Sequence, residues 1–239
     1  DEGLVGSEMC IRDRSYGSYC KAYFFMTRSF FLIVIFLALS CQINEKSEKR
    51  YNYLALGDSY TIAESLNLID SYPYQLKNQL KKIDSVNIIA KTGWTTGELI
   101  DTLKSLNINN KYDYVSLLIG VNNQYREYDI SIFEKEFEYL LNLAIQYAND
   151  RSKVFVISIP DYGVTPFGFK NRDKIYKEID QYNLIKRKIV EKYNIRFYDV
   201  TDISREAKEK KNLIAEDSLH PSREMYSLWI DRILNDFDR

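Results

Sequence analysis

The sequence predicts an α/β domain of three layers, a five-stranded parallel sheet with helices on both faces. Three observations predict it. Short β-rich runs alternate with longer amphipathic segments from Tyr53 onward, the pattern that successive βαβ crossovers leave in a chain. Two of the runs, Val115–Ile119 and Val154–Ile157, are almost unbroken in apolar residues, as strands covered on both faces are. Polar, glycine-bearing stretches follow the first three runs. Open sheets of this class keep their sites beyond the carboxyl ends of the strands.

Taken in order, the first strand is expected over Tyr53–Leu56 and runs into Gly57-Asp58-Ser59-Tyr60. The second, Val86–Ala90, runs into Thr92-Gly93-Trp94, and the third, Tyr114–Ile119, into Gly120-Val121-Asn122-Asn123. A helix over Ile132–Tyr147 sets Phe133, Phe137, Leu140, Leu141, Ala144 and Ile145 at helical spacing. The fourth strand, Val154–Ile159, is followed by a loop over Pro160–Phe169 rich in aromatic and turn residues. A second long helix, Ile175–Tyr193, carries Ile175, Ile179, Tyr182, Ile185 and Ile189. After the fifth strand, Ile195–Val200, the last helix spans Arg223–Phe237 with Tyr226, Trp229, Ile230, Ile233 and Leu234 inward. No internal repeat or low-complexity tract interrupts this pattern, so residues 51–239 read as one domain.

Composition narrows the function. The net charge is −1, with lysine and arginine interspersed among aspartate and glutamate. A nucleic-acid partner, which needs a basic face, is therefore not expected. The cysteines are Cys10, Cys20 and Cys41, so the domain carries neither a disulfide nor a cysteine-based metal site. Histidine occurs once, at His220, which argues against a zinc site of the common ligand types. No metal and no organic cofactor are expected.

The front of the chain reads as a targeting segment. Met26-Thr27-Arg28 precedes an apolar run from Phe30 to Leu39, the size of a signal-peptide core and too short to span a bilayer. Ala38-Leu39-Ser40-Cys41 follows it and resembles a bacterial lipobox. Residues 26–40 are expected to be a lipoprotein signal peptide, with Cys41 lipidated and residues 41–50 a polar tether. Residues 1–25, upstream of Met26, are read as a non-native extension. The expected address is the cell envelope, with a membrane partner through the lipid; secretion is the alternative.

The chemistry gathers around His220. Only an imidazole titrates unperturbed near neutral pH, and His220 lies three residues after Asp217, before Pro221. A serine hydroxyl attacks only when a base takes its proton and the base is itself oriented. Ser59, at a strand-to-helix turn, would expose its oxygen and could bring a helix N-terminus to a developing anion. Asp217 is close enough in sequence to hold one ring nitrogen of His220. The backbone N–H groups of Ser59 and Gly93 and the side-chain amide of Asn122 could converge on an oxyanion. Each residue alone has a plainer reading: a helix cap for Ser59, a turn for Gly93, Asn122 and Asp217.

Together these blocks resemble the SGNH (GDSL-type) hydrolase family. The resemblance rests on Leu56-Gly57-Asp58-Ser59-Tyr60-Thr61, then Gly93, then Gly120-Val121-Asn122-Asn123, then Asp217-Ser218-Leu219-His220-Pro221, in the family's order. It implies a flavodoxin-like fold, with Ser59 as nucleophile, His220 as base, Asp217 as its orienting acid, and Ser59, Gly93 and Asn122 as the oxyanion hole. Two positions depart from the family's pattern: Tyr60 stands for leucine, and Asn123 for the aspartate of many members. Tyr60, Trp94, Asn123, Tyr162 and Phe167 are expected to line the substrate pocket. The implied activity is hydrolysis of carboxylic esters, short-acyl or carbohydrate-linked, by acyl transfer to Ser59 and then to water. An acyltransferase on the same site, or a lipid-anchored binding protein with an inactive hydrolase fold, are the alternatives.

Overall fold

The computed structural model describes residues 50–237. The predicted extension, signal peptide, lipidated Cys41 and all but the last residue of the tether lie outside the described residues.

Five parallel strands form the sheet: β1 (Tyr51–Gly57), β2 (Ile83–Ala90), β3 (Tyr114–Leu118), β4 (Val154–Ile157) and β5 (Arg196–Tyr198). Their order is β2-β1-β3-β4-β5, the doubly wound order that the flavodoxin-like resemblance implies. Every residue of β3 and β4 is buried, whereas the edge strand β2 is mostly half-exposed. This is why the two inner strands read as continuous apolar runs.

The helices are α1 (Ser59–Ile62), α2 (Tyr72–Gln79), α3 (Thr96–Leu106), α4 (Val121–Tyr125), α5 (Ile130–Tyr147), α6 (Arg172–Lys192), α7 (Thr201–Arg205) and α8 (Arg223–Phe237). On one side α2 packs against α8, and on the other α5 packs against both α3 and α6. The predicted stripes supply the core. Phe133, Phe137, Leu140, Leu141 and Ala144 of α5, and Tyr226, Trp229, Ile230 and Ile233 of α8, are all buried. Each such large apolar side chain contributes roughly 1.5–3 kcal/mol by leaving water.

Several boundaries differ from the sequence reading, for identifiable reasons. β2 starts at Ile83 because edge pairing with Tyr51 and Asn52 is made by backbone groups and needs no apolar face. β5 stops at Tyr198 because the Asp199 carboxylate accepts from the Thr201 N–H (3.0 Å) and turns the chain into α7. Two helices of eight residues or more, α2 and α3, lie outside the segments that the sequence reading assigned as helical. α2 has only Tyr72, Pro73 and Leu76 buried. α3 carries a buried stripe of Leu99, Ile100 and Leu103 behind a capping box of Thr95 with Glu98.

The strand order brings the site into being. The chain moves from β1 outward to β2, then crosses back past β1 to β3. The connections leaving β1 and β3 therefore diverge, opening a crevice at the carboxyl edge between them. Gly57 lets that junction close tightly: a Cβ there would stand 2.0 Å from Thr61 Oγ1 and 2.3 Å from the Leu118 carbonyl oxygen.

Candidate active site

Ser59 opens α1 directly after β1 and is nearly buried. Asp58 caps the helix, its Oδ1 accepting the Tyr60 N–H at 3.0 Å. Burial pushes the Asp58 carboxyl up to about 7, and the Tyr60 N–H and the charge of Lys186 draw it only part of the way back. The expected helix N-terminus is a single turn, ending at Ala63 with φ of 55°. A turn this short supplies local N–H groups rather than a macrodipole. The turn is anchored from behind by Tyr226 of α8, whose hydroxyl donates to the Tyr60 carbonyl (2.9 Å).

Asp217 and His220 form a compact unit on the loop before α8. Asp217 Oδ1 accepts the N–H groups of Leu219 and His220, both at 3.0 Å. Its Oδ2 accepts from Ser65 Oγ (2.6 Å) and lies 2.5 Å from His220 Nδ1. A carboxylate can only accept, so Nδ1 carries the proton and Nε2 is the free ring nitrogen. Burial acts to raise the Asp217 carboxyl, but the hydrogen bonds from Ser65, His220 and the two backbone amides outweigh it and hold the group down to about 2. The aspartate therefore stays ionised at neutral pH. Ser218 makes the turn at φ of 66°. The Tyr60 ring stands edge-on to the imidazole, with centroids 5.6 Å apart.

Four hydrogen bonds join the two segments that carry Gly93 and Asn122. Asn122 Nδ2 donates to the Trp94 carbonyl (2.9 Å), which leaves its second N–H unspent. Asn123 is fully buried; its Oδ1 accepts the Thr96 N–H (3.0 Å) and its Nδ2 donates to Thr96 Oγ1 (2.7 Å). Arg126 donates to the Gly93 carbonyl (2.6 Å). Gly93 has φ of +84°, a conformation that costs glycine little.

These elements enclose a cavity of about 150 Å³. Ser59, Gly93, Asn122 and His220 reach it from four separate segments, and its walls include Tyr60, Val121, Tyr125, Tyr162, Phe167 and Leu219. Of the predicted pocket residues, Tyr60, Tyr162 and Phe167 line it. Asn123 does not, because both ends of its amide are engaged with Thr96. Trp94 does not either; its side chain packs at the margin of the core. Tyr162 is fixed by donating to Gln124 Oε1 (2.8 Å), and the Phe167 N–H donates to the Ser218 carbonyl (3.2 Å), tying the pocket wall to the histidine loop.

Sequence reasoning missed Val121 and Tyr125, which α4 places one turn apart on the cavity side. The spacing was readable, but Gly120–Asn123 reads as a loop. Ser65, the second side chain on Asp217, had no signal: it comes from 152 positions away.

The chain matches the GDSL-like lipase/acylhydrolase family over residues 55–228. Solved structures share the fold. A member of the lipolytic G-D-S-L family from Veillonella parvula superposes with a TM-score of 0.65 at 15% identity, over 79% of this chain and 98% of that one. The acetylxylan esterase Axe2 from Geobacillus stearothermophilus gives 0.59 at 20% identity, over 77% and 93%. The psychrotrophic esterase EstA from Pseudoalteromonas gives 0.58 at 19%, over 79% and 97%. No curated protein sequence matches the chain. The family match spans the Ser59 turn, the Gly93 and Asn122 loops and the His220 loop, and the chain belongs to the GDSL (SGNH) hydrolases. By that membership it is a carboxylic ester hydrolase.

The low value for Asp217 gives a stability prediction. A carboxyl depressed in the folded state adds stability that is fully present above its unfolded value, about 3.9, and is lost as pH falls through the folded one. The stability difference between the wild type and Asp217→Asn should hold constant above about pH 5 and shrink toward pH 2. Urea melts across that range check it; a difference that does not change with pH would contradict the assignment.

Proposed function

We propose that Ser59 is the nucleophile of a two-step ester hydrolysis. His220 Nε2 takes the Ser59 proton as Oγ bonds to the ester carbonyl carbon. The resulting oxyanion is held by the N–H groups of Ser59 and Gly93 and by Asn122 Nδ2. Collapse expels the alcohol, which takes the proton from His220. Water then attacks the acyl-serine carbonyl and gives a proton to His220; collapse breaks the bond to Oγ, which takes that proton from His220 as the carboxylic acid leaves and Ser59 is restored. Asp217 holds the ring and stabilises the imidazolium in both steps. The observation that carries this reading is the shared cavity of Ser59, Gly93, Asn122 and His220, with Asp217 Oδ2 at 2.5 Å from the imidazole.

The acyl group is short. A cavity of about 150 Å³ walled by Val121, Tyr125, Tyr162, Phe167 and Leu219 suits an acetyl to butyryl chain. Tyr125 and Phe167 are about half exposed at 56% and 52%, and their rings contact each other at 5.9 Å. Such rings at a pocket mouth offer flat apolar faces to a sugar. A carbohydrate ester is the substrate class we favour, in keeping with the fold shared with an acetylxylan esterase. The apolar run ending at Cys41 supports an envelope address through a lipid on that cysteine.

Ser59→Ala should lower turnover of p-nitrophenyl acetate by at least about 10³-fold while leaving the melting temperature near that of the wild type; undiminished turnover would refute the mechanism. Phe167→Ala should raise the octanoate-to-acetate ratio of kcat/KM by about tenfold. An unchanged ratio would remove Phe167 from acyl selection. Cys41→Ala should move the expressed protein from the membrane to the soluble fraction, and unaltered fractionation would count against the lipid anchor.

A further inference from the structure

Lys186 carries a buried amine that the reaction above does not use. It lies on α6 among Ile179, Tyr182 and Ile189, on the stripe that faces the core, and has no solvent exposure. Burying a lysine carries a desolvation cost of several kcal/mol. An apolar side chain of similar length would fill the same space without it. The charges that act on it come from Asp58 in the turn after β1 and Asp199 in the turn after β5, and the Phe137 ring of α5 lies 5.3 Å from Nζ. Its hydrogen bonds go to backbone: Nζ donates to the Ile157 carbonyl at 2.8 Å and to the Ile119 carbonyl at 3.3 Å.

Those two carbonyls have a particular place in the sheet. The paired register of β3 with β4 ends at Leu117 and Val156. Beyond that point the strands part, and Ile119 and Ile157 lie on the two sides of the split. Ile119 leads directly into Gly120, the cap of α4, and so into Asn122. A methionine could fill the space but could donate to neither carbonyl. An amine can satisfy both, whether protonated or neutral.

We propose that Lys186 is a positioning residue for ester hydrolysis, tying the ends of β3 and β4 together so that the Gly120–Asn122 turn presents the Asn122 amide to the cavity. This rests on the reading of Asn122 as an oxyanion donor. It implies that Lys186 acts through Asn122 and contributes to turnover rather than to ground-state binding.

The test compares wild type, Lys186→Met, Lys186→Gln, Asn122→Ala and the Lys186→Met/Asn122→Ala pair on p-nitrophenyl acetate, with Ser59→Ala as the control. Lys186→Met should fold with a lower melting temperature, because the Ile119 and Ile157 carbonyls lose their donor. Its kcat should fall at least about tenfold with KM within about twofold, as expected when a transition-state donor is misplaced. Lys186→Gln, which keeps N–H donors, should recover part of the loss. In the Asn122→Ala background the same lysine substitution should cost less than about threefold, since the group it positions is gone. A folded Lys186→Met enzyme with unchanged kcat, or an equal loss in both backgrounds, would overturn the proposal. Failure of both single lysine variants to fold would assign Lys186 to stability alone and overturn it too. If the wild type shows no Ser59-dependent turnover, it is the hydrolase reading that fails, and the proposal falls with it.

Discussion

The close approach of β1 to β3 at their carboxyl ends is the constraint on which the site depends. Gly57 packs where no side chain fits, against the Leu118 carbonyl and the Thr61 hydroxyl. From that junction the chain leaves β1 on the Ser59 side and leaves β3 on the Asn122 side. The crevice between them is a consequence of strand order. The remaining parts are brought to it by ties that can be named. Tyr226 holds the serine turn from below, Arg126 and Asn123 bind the Gly93 loop to α4, and Ser218 fastens the wall at Phe167 to the histidine loop. Ser59, Gly93 and Asn122 sit on short connections of the sheet, which in the proposed reaction would need little reorganisation as charge develops.

Two aspartates near the serine are treated in opposite ways. Asp217 is partly exposed and surrounded by donors, so it is ionised across the working range. Asp58 is fully buried, and although the Tyr60 N–H and the charge of Lys186 oppose the shift, its carboxyl is pushed up to about 7. The charge of Asp217 lies against the imidazole, where in the proposed reaction it would favour the imidazolium that proton transfer creates. A full charge at Asp58, beside Ser59 itself, would oppose an oxyanion forming there. Environment divides the roles of two chemically identical groups.

The sheet and its long helices were legible because they obey simple periods. Val115–Ile119 and Val154–Ile157 are apolar since both their faces are covered, and α5 and α8 show their buried stripes directly. The helices α2 and α3 were missed: α2 buries only Tyr72, Pro73 and Leu76, and the stripe of α3, Leu99, Ile100 and Leu103, is short. At the site, Ser59, Gly93, Asn122 and His220 were legible because each sits in a polar block at a strand or helix boundary. Asn123 and Trp94 were misread as pocket walls: sequence neighbours of a functional residue need not share its direction, and one became a brace and the other packing. Ser65 and Lys186 were invisible for a different reason. Their meaning comes only from partners far away in the chain.

The claim that most of this account supports is that Ser59 and His220 act as one unit. Labelling with a p-nitrophenyl alkylphosphonate, followed by peptide mass mapping, tests it most directly because it reads the nucleophile and its activation together. The account predicts one adduct, on Ser59, formed at least about 10²-fold more slowly in His220→Ala. An adduct on another residue, or labelling of Ser59 at the same rate without the only histidine of the chain, would contradict it.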